Sequence, residues 1–326
     1  MSKTAVMFSG IDGLDNVEQR DAALLIPEVR LRLEEAHDLL LGYSNGNVSL
    51  IDYSKTSQEV FQASLSLKAM LGAVTHVGLY DRLMKFHPTP DYLVGCSLGD
   101  SARIACSGAM TFEQIMLGTY LFGLHGETIQ GSSVVCVKSL INPLSPEEIK
   151  AIESRGLYIA VYQTPKHFLV GGPNEILQAW CSDPTTQSLY GLRPLCDKPL
   201  HSKAMNETTA YTFKHFGAVN IQDWEVPMVS TALCKLIETR EDLLEDMNAN
   251  MTGSVYWHQT YRWMIEELGV RKFINIGPAE TLIRFHERMD LITSVDAVDS
   301  LQAEDRQYSP IIKARGTSPS QFLIAP

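Results

Sequence analysis

The chain has 326 residues, 45% of them hydrophobic and 20% charged, and a formal net charge of −11. That length allows one large domain or two of medium size, and the composition is ordinary for a soluble globular protein. The acidic balance excludes a nucleic-acid binder, which needs a concentrated basic surface, and no apolar run approaches the length of a membrane span. The six cysteines (96, 106, 136, 181, 196, 234) show no C-x-x-C and no Cys/His zinc spacing. They read as reduced thiols, neither a disulfide framework nor a metal site. The apolar part of "MSKTAVMFSG" is too short for a secretory signal, so a cytoplasmic protein is expected.

In chain order, "KTAVMFSG" (3–10) predicts a short buried strand feeding a loop at Gly10 and Gly13. Residues 21–41 and 57–72 carry apolar positions at helical spacing. "DYLVGCS" (91–97) predicts another strand, and "SARIACSGAM" opens the helix after it. Between 130 and 196 the rhythm changes. "SSVVCVKSL" (132–140) reads as a strand, and "SPEEIKAIESRG" (145–156) as a helix capped by Ser145 and ended by Gly156. "LYIAVYQT" and "KHFLVGG" read as paired strands across Pro165, "PNEILQAWCSD" (173–183) as a helix, and "SLYGLRPL" (188–195) as a last strand. That β-α-β-β-α-β order is the ferredoxin-like unit. "WEVPMVST" (224–231) and "VRKFINIGP" (270–278) then resume short strands around a long helical region, 239–268.

The expected fold is therefore α/β. A large α/β-hydrolase-like domain with a parallel sheet spans residues 1–129 and 197–301, and a ferredoxin-like small domain, 130–196, is inserted into it. Residues 302–326 read as a polar tail.

The chemistry centres on Gly95-Cys96-Ser97-Leu98-Gly99, a G-x-S-x-G sequence between a strand and a helix. Such a turn presents a serine as nucleophile. A serine hydroxyl needs a base within reach and donors for the oxyanion that forms on attack. The backbone N–H of Leu98 is one candidate donor, and the loop at Gly10-Ile11 offers another. Nine histidines are available as the base. His201, in "KPLHSKAM", stands where the chain leaves the small domain; His286, in "LIRFHERM", is where an ordinary α/β-hydrolase would place its histidine. The H-G-G-G oxyanion loop of such hydrolases is missing. The residues alone leave both histidines open.

Several segments resemble the malonyl-CoA:acyl carrier protein acyltransferase family of fatty acid and polyketide synthesis. "FSGIDG" (8–13) stands where that family has F-P-G-Q-G, and "GCSLGDSARIACSGAM" is similar to its G-H-S-L-G-E-Y-x-A segment. "YQTPKHFLVGG" (162–172) resembles N-S-P-x-x-x-V-x-x-G, "PLHSKAM" (199–205) resembles P-x-H-S-x-x-M, and "INIGPAETL" (274–282) resembles E-x-G-P-x-x-x-L. The resemblance implies a Ser97–His201 dyad with no third carboxylate, the imidazole being oriented by backbone carbonyls. It also implies an oxyanion hole from the N–H groups of Ile11 and Leu98.

Two departures bear on the substrate. Malonyl-specific members carry an arginine about 25 residues after the serine to clamp the free carboxylate; here that position is Phe122, and no arginine lies between Arg103 and Arg155. Burying a carboxylate there without a partner would cost several kcal/mol. Cys96 replaces the usual histidine before the serine, and with Phe122 it is assigned to the acyl pocket. Loss of the arginine resembles the stand-alone acyl hydrolase branch beside trans-acyltransferase polyketide synthases. The expectation is hydrolysis of non-malonyl acyl groups from acyl carrier protein thioesters. The alternatives are transfer of a neutral acyl group between coenzyme A and carrier protein, and a non-catalytic docking homologue. No bound cofactor is expected, the phosphopantetheine being carried by the substrate. The resemblance further implies a monomer that docks a carrier protein; because that partner and this chain are both acidic, a local basic patch is required, and Lys166, Arg193, Lys198 and Lys203 near the small-domain junction are its candidates.

Overall fold

The computed structural model describes residues 3–216, 220–278, 281–287, 289 and 296–299. The predicted tail, 302–326, lies outside the described residues. Among the described residues, ten strands form two sheets. The first is ordered β10-β9-β1-β2-β7-β8, from β1 (Lys3–Phe8), β2 (Tyr92–Gly95), β7 (Met228–Ser230), β8 (Lys235–Ile237), β9 (Val270–Ile276) and β10 (Asp296–Asp299). All its pairings are parallel except the short β7–β8 ribbon. Both faces of β1 are covered, as a parallel sheet requires. Val6 and Phe8 face the helices of one layer, and Ala5 and Met7 face the other.

The second sheet, ordered β4-β5-β3-β6, is antiparallel throughout and is drawn wholly from residues 132–196. Its strands are β3 (Ser132–Ser139), β4 (Tyr158–Thr164), β5 (His167–Pro173) and β6 (Tyr190–Cys196). Strand alternation divides its side chains between two cores. Val135, Val137, Ile159, Phe168 and Val170 pack beneath Ile152, Leu177 and Trp180 of the sheet's own helices. Val134, Ala160, Val161 and Leu169 instead join Met7, Val94, Trp257 and Phe273 under the parallel sheet. The ferredoxin-like unit is thus seated on the large sheet by its other face.

Two elements differ from the sequence expectation. The helical region 239–268 is two helices, Arg240–Thr252 and Trp257–Glu266. Between them the chain extends, and Val255 hydrogen-bonds to the edge of β4: its N–H donates to Ala160 (2.9 Å) and its carbonyl accepts from Tyr162 (2.8 Å). The strand predicted over 224–231 is only three residues long, because β7 turns at once into β8. No described helix is long and apolar enough to cross a membrane.

Candidate active site

β1 and β2 are neighbours in register, with Phe8 opposite Gly95, so the loops that follow them emerge side by side. That carboxyl edge is where open α/β sheets place their sites. After Gly95 the chain reverses into the helix Gly99–Ser107 through Ser97, whose φ of 59° lies in the left-handed region. A non-glycine residue is held there only when its surroundings over-determine it. The glycines of the motif supply that constraint by close approach. A Cβ on Gly99 would fall 2.2 Å from the Phe8 carbonyl oxygen, and one on Gly95 would fall 2.4 Å from the Asp100 nitrogen.

Ser97 Oγ lies 2.6 Å from His201 Nε2. The other ring nitrogen, Nδ1, lies 2.6 Å from the Asn250 backbone carbonyl. Since a carbonyl can only accept, Nδ1 carries the proton and Nε2 is left to accept from the serine hydroxyl. Burial lowers the His201 pKa to about 4, against a smaller opposing effect of the Asn250 bond. The imidazole is therefore neutral at physiological pH. Asn250 also donates from Nδ2 to the Ser97 carbonyl at 3.2 Å.

Asn250 stands on the helix Arg240–Thr252, one turn after Asp246. Asp246 is fully buried and ion-paired to Arg103 of the helix Gly99–Ser107; Arg103 also donates to the Val229 carbonyl at 2.5 Å. The serine helix and the helix that orients the histidine are thus braced together. Neither Asn250 nor this brace was foreseen from the sequence. Asn250 acts through its main chain and carries no side-chain signature, while the brace joins residues 143 positions apart.

His286 is placed elsewhere, its Nδ1 2.7 Å from the Tyr261 hydroxyl, and it lines neither cavity described here. Cys96 is buried, and burial pushes its thiol well up, so it stays a protonated thiol.

Two cavities meet at the dyad, sharing Ile11, Ser97, Leu200 and His201. The first, of about 140 Å³, runs among helices and is walled by Leu65, Ile104, Met110, Ile115, Phe122 and Met247. No lysine or arginine is among its described lining residues, and Asp100 is its one carboxylate. The second, of about 550 Å³, opens between the two sheets. Its rim carries Lys138, Arg193 and Arg284, all exposed, with Asp12 and His167. Lys138 and Arg284 were missed in the sequence, where nothing marks two residues so far apart as neighbours of Arg193. Phe122 lies in the first cavity as expected. Cys96 does not: it belongs to the core cluster of Met7 and Val94 and lines the second cavity.

The four basic residues assigned to docking divide similarly. Lys203 is exposed, Lys166 donates to the Ile141 carbonyl (2.8 Å), and Arg193 stands on the groove rim. Lys198 is a correction: it is buried, and its ammonium donates to the Glu127 and Ile129 carbonyls, each at 3.0 Å. It satisfies carbonyls at the end of the helix Phe112–Gly126 and is not presented to a partner.

No protein-family model matches the chain. Among curated proteins it is 21% identical over 291 residues to the malonyl CoA-acyl carrier protein transacylase of Bacillus subtilis, covering 86% of this chain and 89% of that protein. It is 23% identical over 257 residues to BaeC, a polyketide biosynthesis malonyl CoA-acyl carrier protein transacylase of Bacillus velezensis, covering 77% and 85%. Among solved structures, the Streptococcus pneumoniae enzyme of that kind superposes with a TM-score of 0.78 at 21% identity, covering 94% of this chain and all of that one. The chain thus shares the two-sheet fold of these malonyl CoA-acyl carrier protein transacylases and is similar to them in sequence over most of its length.

Proposed function

We propose that the protein removes neutral acyl groups from the phosphopantetheine thioester of an acyl carrier protein, through an acyl ester on Ser97. The observation that carries this reading is the hydrogen-bonded Ser97–His201 pair standing where an apolar cavity and a polar groove meet. His201 Nε2 takes the Ser97 proton as Oγ attacks the thioester carbonyl, and the imidazolium formed stays bonded to the Asn250 carbonyl. The N–H groups of Ile11 and Leu98 receive the oxyanion. The proton returns through His201 to the leaving thiolate of the arm, which departs along the groove.

The arm's phosphate is anionic, and Lys138, Arg193 and Arg284 on the rim suit it despite the net negative chain. The acyl group enters the apolar cavity. An engineered cavity of about 150 Å³ holds benzene, so 140 Å³ accommodates an acyl group of roughly five or six carbons. A malonyl carboxylate would meet Phe122 and Asp100 there and find no cation. The methionines lining the cavity, Met110, Met247 and Met251, let it adjust to branching.

Release to water is supported by the breadth of the groove, which leaves the ester accessible once the arm has gone. Transfer to a second thiol is the competing fate, favoured by what the relatives are named for. Intact-protein mass spectrometry with hexanoyl, acetyl and malonyl carrier proteins tests the choice. The expected result is acyl–Ser97 from hexanoyl carrier, then free acid with no gain on an added second carrier. Gain on the second carrier establishes transfer, and malonyl as the preferred group overturns the assignment of the pocket.

A further inference from the structure

The loop bearing Ile11 is fastened to the core by a second serine–histidine pair. Ser9 and His76 are both buried, and their Oγ and Nε2 atoms lie 3.0 Å apart. Neither lines the cavity or the groove, so neither touches the substrate there. Ser9 directly follows β1, and His76 lies within the helix Leu65–Leu83. The bond therefore ties the first residue of the loop to that helix.

The loop is folded around this point. Gly13 covers the hydroxyl so closely that a Cβ there would fall 2.9 Å from Ser9 Oγ, and the Gly13 N–H donates to the Gly10 carbonyl at 3.1 Å. On its other side the loop abuts the nucleophile turn. A Cβ on Gly10 would lie 3.9 Å from Ser97 Cβ, and one on Gly99 would lie 2.9 Å from the Ser9 carbonyl oxygen. Among the described residues His76 Nδ1 has no partner. A buried N–H without a partner is rarer than an unused lone pair, so the proton resides on Nε2 and His76 donates to Ser9. Burial keeps the ring neutral, with a pKa of about 4.

We propose that the Ser9–His76 hydrogen bond is the positioning device for the Ile11 N–H, holding that donor against Ser97 by fixing the chain two residues upstream. This rests on the acyl-Ser97 reading. In the F-P-G-Q-G sequence that "FSGIDG" resembles, Ser9 stands at the proline. A proline ring restricts φ covalently; serine does not, and the hydrogen bond supplies the restraint. Removing an oxyanion donor costs about 10²–10³ in kcat; loosening one should cost on the order of tenfold.

The test compares wild type with Ser9→Ala, His76→Leu, the double variant, and Ser9→Pro combined with His76→Leu. Each is assayed on the N-acetylcysteamine thioester of hexanoic acid. The expected result is a roughly tenfold lower kcat at little-changed KM in each single variant, and no further loss in the double variant. In the proline variant kcat should recover to within about threefold of wild type. Unchanged kcat in both single variants overturns the proposal. So does a proline variant that is folded by circular dichroism yet as slow as Ser9→Ala/His76→Leu. If wild type acylates at Ser97 in the mass spectrometer while the variants behave in this way, only the positioning role fails. If wild type never acylates, the reading beneath it fails and the proposal goes with it.

Discussion

On one side of Ser97 the chain builds a cavity of about 140 Å³ walled by Leu65, Met110, Ile115 and Phe122; on the other, a groove of about 550 Å³ edged by Lys138, Arg193 and Arg284. The first is made by helices of the large domain packing around an apolar void. The second is made by two sheets that approach without closing. On the proposed function, selectivity for the acyl group and grip on its carrier would be set by different parts of the fold. A change on one side should leave the other nearly untouched, and four experiments probe that separation.

The largest effect falls on what the two sides share. Ser97→Ala should abolish the acyl adduct and lower turnover at least about 10³-fold on every acyl thioester, and His201→Ala should cost about 10²–10⁴-fold. Intact mass and a thiol-release assay read both. Next comes the apolar side. Phe122→Arg puts a cation where the cavity has none and should raise the malonyl-to-hexanoyl ratio of kcat/KM by about 10–100-fold, read by competition between the two carriers. An unchanged ratio would mean that the acyl group lies elsewhere.

Acidification strikes both sides together. His76 and His201 have folded pKa values near 4, below the ordinary 6.5, and in each burial is the main cause. The unfolded chain therefore takes up protons first. Stability is full above about pH 6.5 and is lost as pH falls from there toward 4. Urea unfolding at pH 7 and pH 5 should show the midpoint falling, and less steeply in His76→Leu. Acylation should stay flat through neutral pH and decline only toward pH 4. The smallest effect is expected on the groove rim. Arg193→Ala with Lys138→Ala should raise KM for acyl carrier protein several-fold, less so at high salt. It should leave the phosphate-free N-acetylcysteamine thioester unaffected, which steady-state kinetics on the two substrates would show.

Much of this arrangement is legible in the sequence, for identifiable reasons. Ser97 is visible because its turn needs glycine at 95 and 99, where backbone approaches to within a Cβ's reach. The small domain is visible because Ser145 and Gly156 punctuate its first helix and its strands alternate cleanly. From the residues alone His201 is one of two candidates; the family resemblance selects it, and the fold brings it to Ser97 while bonding His286 to Tyr261. Other features leave no local trace. The interruption at 253–256 was read as continuous helix because "GSVY" contains no strong strand pattern; the extended conformation of Val255 is stabilised by β4, nearly a hundred positions away. Lys198 looked like a surface charge because its carbonyl partners belong to a helix end that composition cannot reveal.

The bond from His201 Nδ1 to the Asn250 carbonyl carries a lesson for mutagenesis. The group that fixes the imidazole is an atom every residue possesses, so replacing Asn250 by alanine deletes the amide contact to Ser97 and leaves the orienting acceptor in place. The same holds for the main-chain donors proposed at Ile11 and Leu98. A side-chain scan would accordingly return a site of two residues, and the remainder would register only when the peptide bond itself is altered, as by amide-to-ester replacement. Half of this centre is written in backbone, which makes it tolerant of sequence drift and silent in any comparison that reads letters alone.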